Sequence, residues 1–481
     1  MPPGVKLAPQ MPPPGPPRPF HFPRAASKTL PNGLRVFVVS DHSAPAIALR
    51  LVILSAGRIQ DPAGMPGTAE MTASMLTQGT ARRSAREIAE AIDFVGGTLE
   101  AGAGPDGTNV ALAVVRKDLD TGLDVMSDCV LHPSFRAEEL ERQRQQLLSE
   151  LVVDYSAPEQ IATMVFERVV YGDSPYGWPE KGTPETVKKL TPEELARFHD
   201  ARYAPNQSLL AFAGDITPER AFAVAEKYFG AWHKLDIALT APPAPPAPKG
   251  LRVWLIDKPG AVQTQIRAGS PGIRRGDPDY IPVVVMNRIF GGGYNSRLNT
   301  IVRVKQGLTY GAYSEFEPHL YAGSFEVATS TRTEATVEAT KLVVDLIGRM
   351  SAGDVTQDEV NFAEDFLAGV YPIQTEKAEQ VADRVLAVAA FDLPAGYNST
   401  YPARIRGVTS AQVREMARRY LTTSDLDLVL VGDTSAYRDA LEKAFPEAKY
   451  EEIPIEQVDV LAPDLRKATT GTAGSGGSPS P

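Results

Sequence analysis

Apolar positions along this chain follow two rhythms. The short runs Leu34–Val39 and Ile47–Ile53, rich in Val, Leu and Ile, have the length and composition of strands. Ser84-Ala-Arg-Glu87 is a capping box, and Ile88, Ile92 and Val95 then fall on one face before Gly96-Gly97 stops the helix. Thr98–Ala103 and Asn109–Val115 flank Gly104-Pro-Asp-Gly107 as the arms of a hairpin. Ala137–Val153 reads as a long helix with Leu140, Leu147, Leu148 and Leu151 aligned. Strands and helices are mixed rather than strictly alternating, which predicts an α+β layer: helices packed on a mainly antiparallel sheet.

The pattern occurs twice. Gly33-Leu-Arg-Val-Phe-Val-Val39 returns as Gly250-Leu-Arg-Val-Trp-Leu-Ile256, an offset of 217 residues. Arg202-Tyr203, Leu209–Ala213 and Gly214-Asp215 return as Arg419-Tyr420, Leu426–Val431 and Gly432-Asp433 at almost the same offset. Two separate echoes at one spacing indicate a duplicated domain, with a unit too long for a solenoid. The duplication predicts two equivalent halves, each folding alone. Low-complexity stretches divide the chain into a Pro-rich disordered leader (1–27), a first domain (28–236), a Pro-rich linker (237–249), a second domain (250–460) and a flexible tail (461–481). The linker favours polyproline II and is expected to act as a semi-rigid spacer.

Composition narrows the function classes. The chain's 481 residues fit two domains, and no run approaches the ~18 apolar residues that span a membrane. A formal charge of −10 argues against nucleic acid, and Arg82-Arg83 and Arg274-Arg275 read as solvated surface. The single cysteine, Cys129, leaves no intrachain disulfide or cysteine-based zinc site, and its apolar surroundings suit a buried small hydrophobe. The leader carries no export signal, yet it could follow a removed one; together with the lone cysteine it leans toward a periplasmic or secreted location.

Several kinds of chemistry are missing. None of the six histidines lies three to five residues from another, so no helix carries the imidazole pair of a zinc hydrolase. There is no nucleophile elbow and no phosphate-binding loop, and Phe290-Gly291-Gly-Gly293 reads as a flexible turn after a helix ending near Ile289.

Five motifs nevertheless share a pattern: Leu30-Pro-Asn-Gly-Leu-Arg-Val-Phe-Val-Val39, the segment Gly67–Thr80 ending Leu-Thr-Gln-Gly-Thr, Tyr171-Gly-Asp-Ser-Pro-Tyr-Gly177, Gly293-Tyr-Asn-Ser-Arg-Leu298 and Arg303-Val-Lys-Gln-Gly-Leu-Thr-Tyr310. With them the chain resembles the M16 family of insulinase-type peptidases, pitrilysin and the mitochondrial processing peptidase, over roughly Lys28–Glu452. The resemblance implies two M16-type domains. Active members carry His-x-x-Glu-His on a first-domain helix and a downstream glutamate as third ligand. Here Glu70, Ala73 and Ser74 stand at the positions of the two histidines and the general base, with Ala73 at the base, and Glu150 stands where the glutamate is expected. A methyl group at Ala73 takes no proton from water, and Glu70 with Glu150 is a poor zinc donor set. The resemblance therefore implies no metal in this chain. Arg303 and Tyr310 match the arginine and tyrosine that M16 enzymes bring from the second domain to substrate. A guanidinium and a phenol both donate hydrogen bonds to a peptide carbonyl and to the oxyanion that forms from it.

The leading expectation is a zinc-less subunit of a heterodimeric M16B-type metallopeptidase that supplies Arg303 and Tyr310 to a zinc-bearing partner acting on peptides. The alternative is an inactive scaffold or peptide-binding protein, with a homodimer as the other assembly. Independent hydrolysis through Glu70, Glu150 and some other cation ranks last.

Overall fold

The structure is a computed structural model that describes residues 20–247 and 249–468. Its first half holds a six-stranded sheet of β1 (Ala26–Thr29), β2 (Arg35–Ser40), β3 (Ala46–Ile53), β4 (Thr98–Ala103), β5 (Thr108–Val115) and β6 (Ser208–Gly214), ordered β1-β2-β6-β3-β5-β4. The second half repeats it with β7 (Arg252–Asp257), β8 (Gln263–Pro271), β9 (Ala312–Pro318), β10 (Gly323–Arg332), β11 (Asp427–Gly432) and β12 (Lys449–Pro454), ordered β12-β7-β11-β8-β10-β9. Five strands correspond one to one. The outermost differs: β1 precedes its sheet and pairs antiparallel with β2, whereas β12 follows its sheet and pairs parallel with β7. Apart from this strand, only β2–β6 and β7–β11 are parallel, so both sheets are mainly antiparallel, as expected.

The first-half helices that bear on function are α1 (Thr68–Met75), α2 (Ala85–Phe94), α3 (Leu119–Leu131), α4 (Ala137–Asp154) and α5 (Pro158–Tyr171). The capping box of α2 forms as its sequence dictates, with Ser84 Oγ accepting from the Glu87 amide at 3.3 Å and the Glu87 carboxylate accepting from the Ser84 amide at 2.8 Å. Ile88 and Ile92 turn into the first core, beside Cys129 of α3, whose thiol is pushed up to about 12 by burial.

Strands β6 and β11 explain how the halves join. Their apolar runs are continuous, the signature of a strand covered on both faces. Leu210 and Phe212 of β6 point into the first core, while Leu209, Ala211 and Ala213 face the other way, onto Val381, Ala382, Val385 and Leu386 of the second-half helix Ala378–Ala390. The converse holds for β11, where Leu428 and Leu430 enter the second core while Val429 and Val431 meet Ile161, Val165, Phe166 and Val169 of α5. Each half thus covers the other's sheet with one helix. Phe166 lies so close to β8 that a Cβ at Gly269 would come within 2.6 Å of its ring.

This exchange corrects the expectation of halves that fold alone, held apart by a proline spacer. The leader and tail also need correction. Residues 1–19 lie outside the described residues, but Phe20 meets Tyr371 of the second half edge-on at 5.4 Å, and Phe22 and Ala25 pack on the first-half sheet. In the region expected as tail, Leu465 is buried against α5 and Arg466 donates to the Glu452 carbonyl at 2.7 Å; residues 469–481 lie outside the described residues.

The arginine pairs are not simply solvated. Arg82 and Arg83 both bind Asp128, whose side chain is fully buried in α3, and Arg275 stacks 3.9 Å over Tyr280. Nor is the triple-glycine turn loose. A Cβ at Gly293 would collide with the Arg288 guanidinium, which lies 3.7 Å over Phe366 and donates to the Gly292 carbonyl at 2.7 Å. Among the described residues no helix is long and apolar enough to cross a membrane.

Candidate functional site

Helix α1 carries the first three motif positions, and its start is fixed by Asp61, whose carboxylate accepts from the amides of Gly67 and Ala69 at 2.9 and 2.7 Å. Gly67 caps the helix at φ 92°, a conformation that favours glycine. Burial raises Asp61 to about 7 against the pull of the two amides. Met71 and Met75 anchor α1 into a small core with Leu140 and Leu151 of α4, which sets the two helices side by side.

Each motif position is occupied by some other interaction. The Glu70 carboxylate reaches the end of edge strand β4 and accepts from the Ala103 amide at 2.8 Å; burial raises its pKa. Ala73 is fully buried in the first core. Ser74 Oγ donates back to the Met71 carbonyl at 3.0 Å. Glu150 accepts from Lys181 Nζ at 3.3 Å, and the same ammonium bridges to Asp154 at 3.3 Å. The donor chemistry therefore does not fit a catalytic zinc: one carboxylate is committed to a backbone amide, the other to an ammonium, and no imidazole is present at these positions. No group of three or more metal-binding side chains occurs among the described residues. Lys181 also helps to offset the raising of Glu70's pKa, so a cationic side chain acts on both surviving carboxylates.

The second-half pair is held differently. Arg303 belongs to the wide helical turn Asn299–Lys305, which ends where the Gly307 amide donates to the Arg303 carbonyl at 3.1 Å and Gly307 takes φ 63°. Leu308 then plunges into the second core. The effect is to leave Arg303 and Tyr310 on either side of the Gly307–Leu308 turn. Arg303 is half-buried, its guanidinium 4.9 Å over the ring of Tyr294, and Tyr310 is 88% exposed. Arg303 and Tyr310 share the corner without a hydrogen bond between them, and both leave their donors available.

Tyr294, Lys181 and Asp61 carry roles that sequence reasoning missed. Tyr294 lies inside the Gly293–Leu298 motif, directly after Gly291–Gly293, and an aromatic near a motif arginine is the signal that could have found it. Lys181 and Asp61 gave no such signal, because their partners lie 31 and 8 residues away.

Two duplicated α+β halves, the first with a helix that lacks the paired histidines of a zinc hydrolase and the second with an arginine and an exposed tyrosine flanking one turn, define the class: a chain of peptidase-like architecture. A family model described as insulinase (peptidase family M16) matches residues 35–179, and one described as peptidase M16 inactive domain matches residues 189–367. The chain belongs to peptidase family M16. It is 28% identical over 399 residues to an "uncharacterized zinc protease" of Mycobacterium tuberculosis, covering 81% of this chain and 88% of the relative. Another so described from Streptomyces coelicolor is 28% identical, over 82% of this chain and 86% of the relative. The crystal structure of a peptidase M16 inactive domain from Pseudomonas fluorescens superposes with a TM-score of 0.80 at 29% identity, covering 85% of this chain and 98% of that one. A protease from Helicobacter pylori shares the fold, with a TM-score of 0.79 at 20% identity over 85% and 99% of the two chains.

Proposed function

We propose that this chain is the zinc-less subunit of a heterodimeric M16B-type metallopeptidase, and that it lends Arg303 and Tyr310 to a zinc-bearing partner. The observation that carries this reading is a contrast: the Arg303–Tyr310 corner is open, while three of the four metal-motif positions, Glu70, Ser74 and Glu150, are bonded elsewhere and Ala73 is buried in the core. In the mixed complex the partner supplies zinc, its ligands and the general base. The Arg303 guanidinium, steered by Tyr294, and the Tyr310 phenol donate hydrogen bonds to the scissile carbonyl. Attack places negative charge on that oxygen, so these donors bind the transition state more strongly than the peptide.

A second reading, peptide binding without hydrolysis, is favoured by the sheet edges. β4 and β9 end their sheets; the Ala103 amide of β4 is taken by Glu70, which leaves β9 as the freer edge to which an extended peptide can add as a strand. Mixing the chain with a zinc-bearing M16 subunit separates the two. The leading reading expects peptidase activity only in the mixture, reduced by Arg303→Ala and Tyr310→Phe with little change in peptide affinity. Peptide binding that is indifferent to the partner, with no activity in any mixture, supports the second reading.

A further inference from the structure

The two halves line an open cavity of about 500 Å3 where their equivalent hairpin turns meet, the first turn starting directly after Ala103, the residue that Glu70 holds. The first half contributes Leu54 and the Gly104–Gly107 turn. The second contributes the 317–320 turn and one face of the helix Ala378–Ala390. A latch closes one wall: Asp106 accepts from Tyr176 Oη at 2.5 Å and from the Leu320 amide at 2.9 Å, and Tyr176 stacks on His319 at 4.6 Å.

The lining is apolar, with Leu54, Leu320, Leu386 and Phe391, and its charges share one sign. Asp106, Glu317 and Asp383 line the cavity, and no lysine or arginine does. His319 supplies no positive charge, because burial drives it down to about 4. Arg50 reaches Asp383 from outside at 3.2 Å, and the nearest cationic-type nitrogen to Glu317 is that of neutral His319 at 3.7 Å. Desolvation raises the pKa of all three carboxylates, offset in part by Arg58 at Asp106 and Glu317 and by Arg50 at Asp383; the Glu317 and Asp383 side chains remain 53% and 59% exposed, so a cation can reach both from solvent. The volume suits a drug-sized molecule or one or two residues of a peptide.

We propose that this inter-half cavity is a binding site for an organic cation with an apolar body, its ammonium or guanidinium set between Asp383 and Glu317 and its apolar part against Leu386 and Phe391. Two sources carry that chemistry, a free amphipathic amine and a basic peptide side chain with apolar neighbours. Because the walls come from both halves, occupancy ties the halves together at the Asp106 latch. The site is independent of the Arg303 and Tyr310 reading, since neither residue lines it.

Benzylamine and the capped peptide acetyl-Leu-Arg-Leu-amide, titrated calorimetrically into the full chain, test the proposal, with benzyl alcohol as the uncharged control. Binding of benzylamine points to a free amine, and binding of the peptide alone points to a basic side chain. Either result supports the site if D383N/E317Q, which removes the charge while keeping the shape, weakens it by roughly tenfold, the effect of about 1.4 kcal/mol. Ala387→Trp, which fills the cavity from its helix wall, should abolish binding, and it decides the matter if the double variant does not fold. Arg303→Ala should leave binding unchanged. The proposal is overturned if neither cation binds at millimolar concentration, if benzyl alcohol binds as well as benzylamine, or if binding survives Ala387→Trp intact.

Discussion

The two halves share five strands in one order, one exchanged helix and one doubly covered central strand, yet they treat their polar residues in opposite ways. In the first half, Glu70, Ser74 and Glu150 are tied to Ala103, Met71 and Lys181. In the second, Arg303 leans on a ring and Tyr310 stands in solvent. The first-half polar groups settle into local bonds, because a buried group without a partner is costly. The second-half pair keeps its donors open. The difference teaches that what a duplicated fold preserves is its packing pattern, whereas chemistry is read position by position.

The largest expected effect concerns what the halves share. Phe166→Ala removes a fully buried ring from the face of α5 that packs on the other half's sheet, and should cost about 3–5 kcal/mol. Its counterpart Leu386→Ala, in the helix that packs the other way, should cost about 2–4 kcal/mol. Denaturant unfolding should show one cooperative transition weakened in both cases. Two separable transitions, with each variant moving only one, would break the picture of halves that depend on each other.

The next effect tests the emptied motif. Glu70→Gln should cost about 1 kcal/mol, chiefly by weakening the hydrogen bond to Ala103, and should leave metal content unchanged. Metal analysis after dialysis against zinc should find no stoichiometric ion in either form. Stoichiometric zinc in the wild-type chain, lost in Glu70→Gln, would make the first half a metal site after all.

Smallest is a pH effect in the second half. Arg297 clasps Glu359 at 2.6 and 2.7 Å. Burial opposes ionisation of Glu359, but the hydrogen bonds from Arg297 and Thr356 outweigh it and lower the carboxyl to about 2. A depressed carboxylate adds stability that is present above its unfolded value and lost as pH falls from there through about 2. The pair is partly exposed, so the contribution is on the order of 1 kcal/mol. Glu359→Gln should flatten the acid limb of the stability curve by that amount, as followed by thermal unfolding from neutral pH downward. An unchanged acid limb would assign acid sensitivity to other carboxylates.

Much of this organisation is legible in the sequence because it depends on local pattern. The capping box Ser84–Glu87, the hairpin about Gly104–Gly107 and the repeat of Gly33 at Gly250 need only neighbours or periodicity, and all three lie where the pattern puts them. The helix exchange is written only in the continuous apolar runs of β6 and β11, which reveal that a second face is covered without saying by what. Lys181 on Glu150, Arg83 on Asp128 and Phe20 on Tyr371 were not legible, because each joins residues that only the finished fold brings together. At the candidate site, the sequence nominates Glu70, Ala73, Ser74, Glu150, Arg303 and Tyr310, but it does not reveal the bonds that engage Glu70, Ser74 and Glu150 or the Tyr294 ring under Arg303.

The most direct test of the asymmetry is the turnover of a peptide by this chain combined with a zinc-bearing M16 subunit. The account predicts activity in the mixture alone, lowered about a hundredfold or more in kcat by Arg303→Ala with KM little changed, as expected when a donor to a developing oxyanion is removed. Full activity in a mixture carrying both Arg303→Ala and Tyr310→Phe would contradict it.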